Sequence, residues 1–282
     1  MNIENALTID VEDYFHVSAF EKNINKDEWD NFPSRVEYNT RRLLDVFDER
    51  DLKATFFVLG WVAEREPELV RDIAERGHEV ACHGYSHQLV YNQSKHVFRE
   101  ETLRSKSILE DLVQQPVLGY RAASYSITEA SRWALDVLVS AGFSYDSSIF
   151  PIRHDRYGIP DAVSYPHAIK TLDGNSIVEF PLSTATLFGL RFPVAGGGYF
   201  RLYPYSVTKA GLSQVNRFGN PFIFYLHPWE IDPEQPRIKA GLISRFRHYN
   251  NLNKCEKRLH RLMEDFKFCP VIEILRKQNL LT

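Results

Sequence analysis

Two histidines four residues apart, His83 and His87, follow the apolar run Val80-Ala81-Cys82. Neutral imidazole is the commonest zinc ligand, and this spacing lets both rings face one ion across a helical turn or a tight loop. A catalytic mononuclear site also needs a third ligand and a proton-transfer group beside it. A second apolar run, Ala6-Leu7-Thr8-Ile9, ends at Asp10 and is followed by Glu12 and Asp13. A carboxylate from Glu12 or Asp13 would complete a two-histidine, one-carboxylate set with positions left open for water and substrate. A metal held there polarises a carbonyl oxygen and lowers the pKa of bound water toward neutrality. Asp10 is then the proton acceptor, and His227 protonates a leaving group from the opposite side. Arg121 pairs with Asp10, orienting it and keeping it ionised.

A histidine pair at this spacing is by itself more often structural than metal-binding, so the elements that carry these residues decide the matter. Apolar runs at residues 6–9, 53–59, 79–82, 117–120, 143–145 and 222–226 read as strands. Helical patterns fall between them at residues 38–50, 67–77, 94–113, 126–141 and 205–218. Pro67 opens one helix and Gly77 closes it, and Ser126-Ile127-Thr128-Glu129 reads as a capping box. Strand and helix in alternation predict a parallel α/β architecture. Asp10, His83, Arg121, Asp146 and His227 each stand directly after a strand run, and in such folds the C-terminal strand ends converge on the active-site face. Each placement alone is weak; together they are hard to assign to chance.

The regular alternation breaks over residues 147–204. Residues 168–172 and 177–180 predict a hairpin around Asp173-Gly174, and Gly196-Gly197-Gly198-Tyr199-Phe200 predicts a loop that brings backbone close to a glycan. His154-Asp155-Arg156-Tyr157 suits sugar hydroxyls, with a solvated loop the plainer account. From residue 239 the tail is helical and charged, with a last strand at residues 271–275. One domain over residues 1–282 is expected, with a catalytic core at about 6–230 and an extension at about 231–282.

Composition narrows the class. The chain has 282 residues, 44% hydrophobic and 25% charged, as an ordinary globular protein does. A net charge of −3 gives no reason to expect nucleic acid as a partner. Cys82, Cys255 and Cys269 form no paired framework, and the N-terminus lacks the basic start and apolar core of a secretion signal. With no apolar run of transmembrane length, a cytoplasmic location is expected.

Taken together, these motifs resemble those of the polysaccharide deacetylases of carbohydrate esterase family four, the NodB-homology group. Within it the chain is most similar to the subgroup that accompanies exopolysaccharide loci of the exosortase/PEP-CTERM type. The resemblance spans roughly residues 6–230 and implies a distorted, incomplete (β/α) barrel, here with an irregular insertion and a helical C-terminal extension. It implies removal of N-acetyl groups from an amino sugar in a polysaccharide or its precursor, with one divalent metal, usually Zn2+ (Co2+, Ni2+ or Mn2+ also serving). By resemblance, Thr8-Ile9-Asp10-Val11-Glu12-Asp13 is the first motif with Asp10 as base. His83 and His87 are the metal ligands, Arg121-Ala122-Ala123-Ser124-Tyr125 is the arginine motif, and Leu226-His227 carries the general acid.

Three departures stand out. Val11 separates the base from the metal carboxylate; an ungapped alignment points to Glu12, while loop length and a shorter side chain favour Asp13 as the third ligand. Ala123 replaces the usual proline. The tryptophan of the fourth motif, matched by Asp146-Ser147-Ser148, has no counterpart, so Tyr125 or Phe150 is expected to line the acetyl pocket. Tyr125, Asp146 and Trp229 are the expected substrate-binding residues, and Cys82 is expected to point away from His83 into the core. Two other readings are an allantoinase-like hydrolase of a different C–N bond and a glycan-binding protein without activity.

Overall fold

The computed structural model describes residues 3–154 and 156–282; Met1, Asn2 and Asp155, the last expected in a sugar-facing loop, lie outside the described residues. The chain is built around β1 (Glu4–Val11), buried along almost its whole length. Its side chains alternate between two environments. Leu7, Ile9 and Val11 join the apolar layer under the helices, whereas Ala6 belongs to a second cluster with Phe57 and Ala81 inside the sheet's curve. Period-two alternation therefore aims Thr8 and Asp10 into the curve.

α1 (Val36–Asp48) buries Leu43, Leu44 and Phe47 against that apolar layer. β2 (Thr55–Val58), α2 (Gly60–Arg65), α3 (Pro67–Glu75) and β3 (Glu79–Cys82) follow, with Pro67 in the first turn of α3 and Gly77 beyond its end at φ +80°. α4 (Lys95–Val113) starts at Ser94, whose hydroxyl accepts from the Val97 amide at 3.2 Å. β4 (Gly119–Tyr120), α5 (Trp133–Ser140) and β5 (Tyr145–Asp146) complete the regular part. The expected capping box moves: Thr128 and Ser131 form it in a short 3-10 turn, and α5 begins only at Trp133. The Ser126 hydroxyl is drawn away to accept from the Val90 amide at 2.9 Å.

β6 (His167–Lys170) and β7 (Ser176–Glu179) form the expected antiparallel hairpin. β8 (Thr184–Leu187) and β9 (Leu190–Pro193) form a separate two-stranded sheet, followed by α6 (Gly197–Leu202), α7 (Tyr205–Arg217) and β10 (Ile223–Leu226). α8 (Leu242–Tyr249), α9 (Leu252–Asp265), β11 (Lys267–Cys269) and α10 (Val271–Lys277) make the extension. The expected strand at residues 271–275 is thus helical. Its apolar residues Val271, Ile274 and Leu275 fall at helical spacing after Pro270, and the strand lies just upstream as β11.

The main sheet runs β10-β1-β2-β3-β4-β5-β7-β6, parallel except for β6, and β11 pairs with the start of β1. Among the described residues its end strands β10 and β6 do not pair. The chain after β7 fills that gap: Ser183 Oγ accepts from the Ile223 amide at 2.8 Å, and the Tyr225 amide donates to Ala195 O at 2.7 Å. The result is an α/β fold, the arc of a distorted and incomplete barrel. The expected glycan-contacting loop is part of this closure, because Gly196 bridges to Tyr225 at φ +129° and a Cβ there would collide with the Tyr225 carbonyl. No helix among the described residues is long and apolar enough to cross a membrane.

Candidate active site

Alternation places the site. Cys82 packs in the helix-side cluster, as expected, so His83 faces the interior of the arc. His83 Nδ1 stands 2.8 Å from the Arg121 carbonyl, an acceptor only, so Nδ1 carries the proton and Nε2 keeps its lone pair. His87 reaches the same point from a left-handed backbone conformation at φ +49°. Its Nε2 is 2.7 Å from Glu12 Oε2.

The third group is Glu12, not Asp13. Carried past Val11, the alternation of β1 turns Glu12 inward and Asp13 outward. Asp13 is consumed elsewhere: its Oδ2 accepts from the Arg35 amide at 2.6 Å, the Val36 amide at 3.0 Å and the Ser34 hydroxyl at 3.1 Å, capping α1. Glu12, the alternative, gives with His83 and His87 a buried group whose ligand atoms lie within 4.8 Å of one another. Glu12 Oε2 is buried, facing His87 Nε2 at 2.7 Å without a well-aligned hydrogen bond, and Oε1 is held by Trp229 Nε1 at 3.2 Å. Two imidazoles and one oriented carboxylate, one oxygen unsatisfied, suit a divalent cation such as zinc. Burial opposes the charge on Glu12, but His87, His227 and His83 hold its carboxyl far below the usual range. Burial lowers His83 to about 4, keeping it in the neutral form a metal requires.

Asp10 stands beside this group at the end of β1. Its Oδ1 accepts from Arg121 Nη1 at 2.6 Å, and its Oδ2 accepts from the Tyr125 hydroxyl at 3.4 Å. Arg121 is fully buried and also donates to Thr8 Oγ1, Ser147 O and Ser147 Oγ at 2.7, 3.2 and 3.0 Å. Its guanidinium lies 4.0 Å over the Phe57 ring. A cation so fixed orients Asp10.

His227 follows β10, and its Nε2 faces Asp10 Oδ2 at 3.9 Å and Glu12 Oε1 at 3.5 Å. Its Nδ1 stands 2.6 Å from Glu230 Oε1 in a short 3-10 turn, and Glu230 Oε2 accepts from Arg201 Nε at 2.6 Å. Burial works against its charge, but Glu12, Glu230 and Asp10 push His227 up to about 9. Its side chain is 17% exposed, against 2% for Asp10 and 4% for His87, so solvent reaches the group past His227. Trp229, expected to bind substrate, is buried and stacks on His227 at 5.0 Å and on His248 at 4.2 Å, so it backs the His227 ring.

Glu230 and Arg201 are buried neighbours of His227 that the sequence does not point to directly. The signal for Glu230 was present, since His227-Pro228-Trp229-Glu230 has the spacing of a capping box with proline at its first turn. Arg201 joins only through the fold. Asp146 is set apart. It is bonded to Ser148 Oγ at 2.6 Å beside Glu179, and burial pushes its carboxyl up to about 6. Tyr125 is packed against Phe150, Tyr157 and Tyr225, with its hydroxyl at Asp10.

Residues 28–145 match the family model for polysaccharide deacetylase, and residues 147–276 match a domain of unknown function, DUF3473. The matches support the polysaccharide deacetylase family. A peptidoglycan deacetylase of Helicobacter pylori is 31% identical over 113 residues, 40% of this chain and 38% of that protein. A chitooligosaccharide deacetylase of a Bradyrhizobium species is 30% identical over 102 residues, 36% of this chain and 44% of that one. The chain thus spans less than half the length of these curated relatives. Among solved structures, a Mycobacterium smegmatis protein described as a candidate polysaccharide deacetylase superposes with a TM-score of 0.64 at 21% identity, covering 99% of this chain and 91% of that one. The allantoinase PuuE superposes at 0.60 and 16%, covering 97% and 89%. Both show the fold alone. The deacetylase match contains His83, His87 and Arg121. Arg201, His227 and Glu230 lie in the second matched region, and Asp10 and Glu12 precede both.

Proposed function

We propose that this protein is a metal-dependent hydrolase that removes N-acetyl groups from an amino sugar in a polysaccharide or its precursor. The observation that carries this reading is the pairing of Asp10, locked to Arg121 at 2.6 Å, with His227, locked to Glu230 at 2.6 Å, across the Glu12, His83 and His87 group. The two curated relatives described above are named a peptidoglycan deacetylase and a chitooligosaccharide deacetylase. We take the chain as one catalytic unit because β7, β10 and β11 of the second region complete the sheet of the first.

When bound by Glu12, His83 and His87, the metal, zinc by its donor set, supplies Lewis-acid chemistry to the acetyl carbonyl and the attacking water. Asp10 takes the proton of that water at Oδ2, since Oδ1 is occupied by Arg121. His227 delivers a proton from Nε2 to the departing amine, because Glu230 holds the other nitrogen. Tyr125, over Asp10, lines the space for the acetyl methyl. The exopolysaccharide-associated subgroup fits the extended C-terminal region, and it points to a glycan or lipid-linked precursor as substrate.

The test is acetate release from N-acetylated chito-oligosaccharides, peptidoglycan fragments and acidic exopolysaccharide oligomers, with and without added zinc or cobalt, alongside allantoin as the competing amide. Metal-dependent acetate release that is abolished in Asp10→Asn, with metal content retained, supports the reading. Turnover of allantoin without acetate release refutes it. Tight glycan binding with no turnover in the metal-loaded protein also refutes it.

A further inference from the structure

α8 carries a surface that the site does not use. Leu242, Ile243 and Phe246 are 82%, 70% and 59% exposed. At about 100° per residue these three share one arc of about 100°, with buried His248 on the far side. Arg245 and Arg247 flank the arc, one on each margin. Between Glu234 and Glu256 the chain places Arg237, Lys239, Arg245, Arg247 and Lys254 and no acidic residue, in a protein of net charge −3.

The opposite face of α8 is fixed to the body of the protein. Arg201 Nη1 donates to His248 O at 2.7 Å and to Asn250 O at 2.9 Å, and Nη2 donates to Arg247 O at 3.1 Å. His248 Nε2 meets Gln235 Oε1 at 2.6 Å. The same Arg201 holds Glu230. The helix is therefore rigidly placed relative to His227, and its apolar arc contributes nothing to that anchorage. The arc borders a cleft of about 360 Å³ lined by Phe246, Arg247, Tyr199, Tyr157, Arg156 and Ser124, the last adjoining Tyr125 over Asp10.

We propose that α8 docks the protein on an anionic lipid surface, with Leu242, Ile243 and Phe246 in the headgroup–acyl boundary and Arg245 and Arg247 at the lipid phosphates. A narrow apolar arc with arginines on both margins is what an interfacial helix presents, the long side chains reaching back to the charged headgroups. The local excess of positive charge selects an anionic bilayer over a neutral one. A protein partner matched to the apolar arc alone would not call for cations on both sides of it. Docked this way, the cleft opens at the membrane, where a glycan attached to lipid would lie. The inference is independent of the reaction that the site performs.

The experiment is co-sedimentation of the full chain with vesicles of phosphatidylcholine alone and with added phosphatidylglycerol, at low and high salt. Expected are at least about tenfold stronger partition onto the anionic vesicles and a decline with salt. Leu242→Ser with Ile243→Ser should abolish it, and Arg245→Gln should weaken it about fivefold. Neither change should alter thermal unfolding or acetate release from a soluble oligosaccharide, since these side chains contact neither the cleft nor the core. Equal partition onto both vesicle types, no partition, or partition unaffected by the serine pair overturns the proposal. So does a dimer of the wild-type chain that the serine pair converts to a monomer.

Discussion

Replacing Arg121 by methionine tests whether the buried guanidinium is what holds Asp10. The pair is 2.6 Å apart, with side chains 0% and 2% exposed. At an effective dielectric of about 20 their attraction is about 6 kcal/mol, but removing both ions from water offsets most of it. The net worth of the intact pair is therefore small, while breaking one side strands a buried charge at about 3–5 kcal/mol. Arg121→Met also leaves Thr8 and Ser147 without their donors, so it should cost at least about 4 kcal/mol. Asp10→Asn should cost about 3 kcal/mol, since Arg121 keeps those other acceptors. The double variant should lose about 2–3 kcal/mol less than the sum of the singles. Urea unfolding of the four proteins after chelation gives the cycle free of metal, with equal slopes required for a valid comparison. If the double variant's loss equalled the sum within about 0.5 kcal/mol, Arg121 and Asp10 would be independent and the assigned role of Arg121 would be wrong.

Glu12→Gln should reduce bound divalent metal well below one equivalent in elemental analysis, whereas Asp13→Ala should keep the metal and lose about 1–2 kcal/mol of stability through the α1 cap. His83→Ala should lose metal and activity together, while Asp10→Asn keeps the metal and loses only activity. Asp146 is raised to about 6 by burial, and Glu179 beside it is raised well above its ordinary value. These two carboxyls thus hold more protons in the folded than in the unfolded chain from about pH 4 up to their raised folded values, so their contribution to stability should fall as pH rises through that window. Glu179→Gln should flatten the fall by about 1–3 kcal/mol, read from urea midpoints at pH 5 and pH 8. Gly196→Ala should lower the melting temperature by about 5–10 °C, because its Cβ meets the Tyr225 carbonyl at a backbone angle that favours glycine.

Much of the architecture was legible because buried parallel strands write themselves as continuous apolar runs. Asp10, His83, Arg121 and His227 could be placed at strand ends from that pattern alone, and the fold brings them to one site. The preference for Asp13 over Glu12 came from loop length, when the decisive fact was the period of two in β1 continued for one more residue. Even then the demand of α1 for a cap, which occupies Asp13, arises from residues 34–36 and is invisible locally. Asp146 occupies its strand end as expected but turns to Ser148 and Glu179, a pairing set by β7. Arg201 could not be found by spacing, since it meets Glu230 only after α6 and the turn after β10 have packed together. Residues 271–275 are rich in β-branched and apolar types and read as a strand; the proline before them and their one-sided burial make them a helix.

The strand that bears Asp10 has its three neighbours drawn from both ends of the chain. β1 pairs with β2 some 47 residues on, as Thr8 meets Thr55, but also with β10 at residue 223 and β11 at residue 267. On a ribosome, β2 can cover one edge of β1 early, but the other stays open for more than 200 residues until β10 and β11 have emerged. Contacts of such long sequence separation are slow to form, and an unpaired apolar strand is exposed to mispairing in the meantime. A prematurely terminated product that retained residues 1–220, both histidines included, would lack one flank of β1 and the segment carrying His227. For this fold, His227 comes to face Asp10 only once β10 has been made and paired with β1.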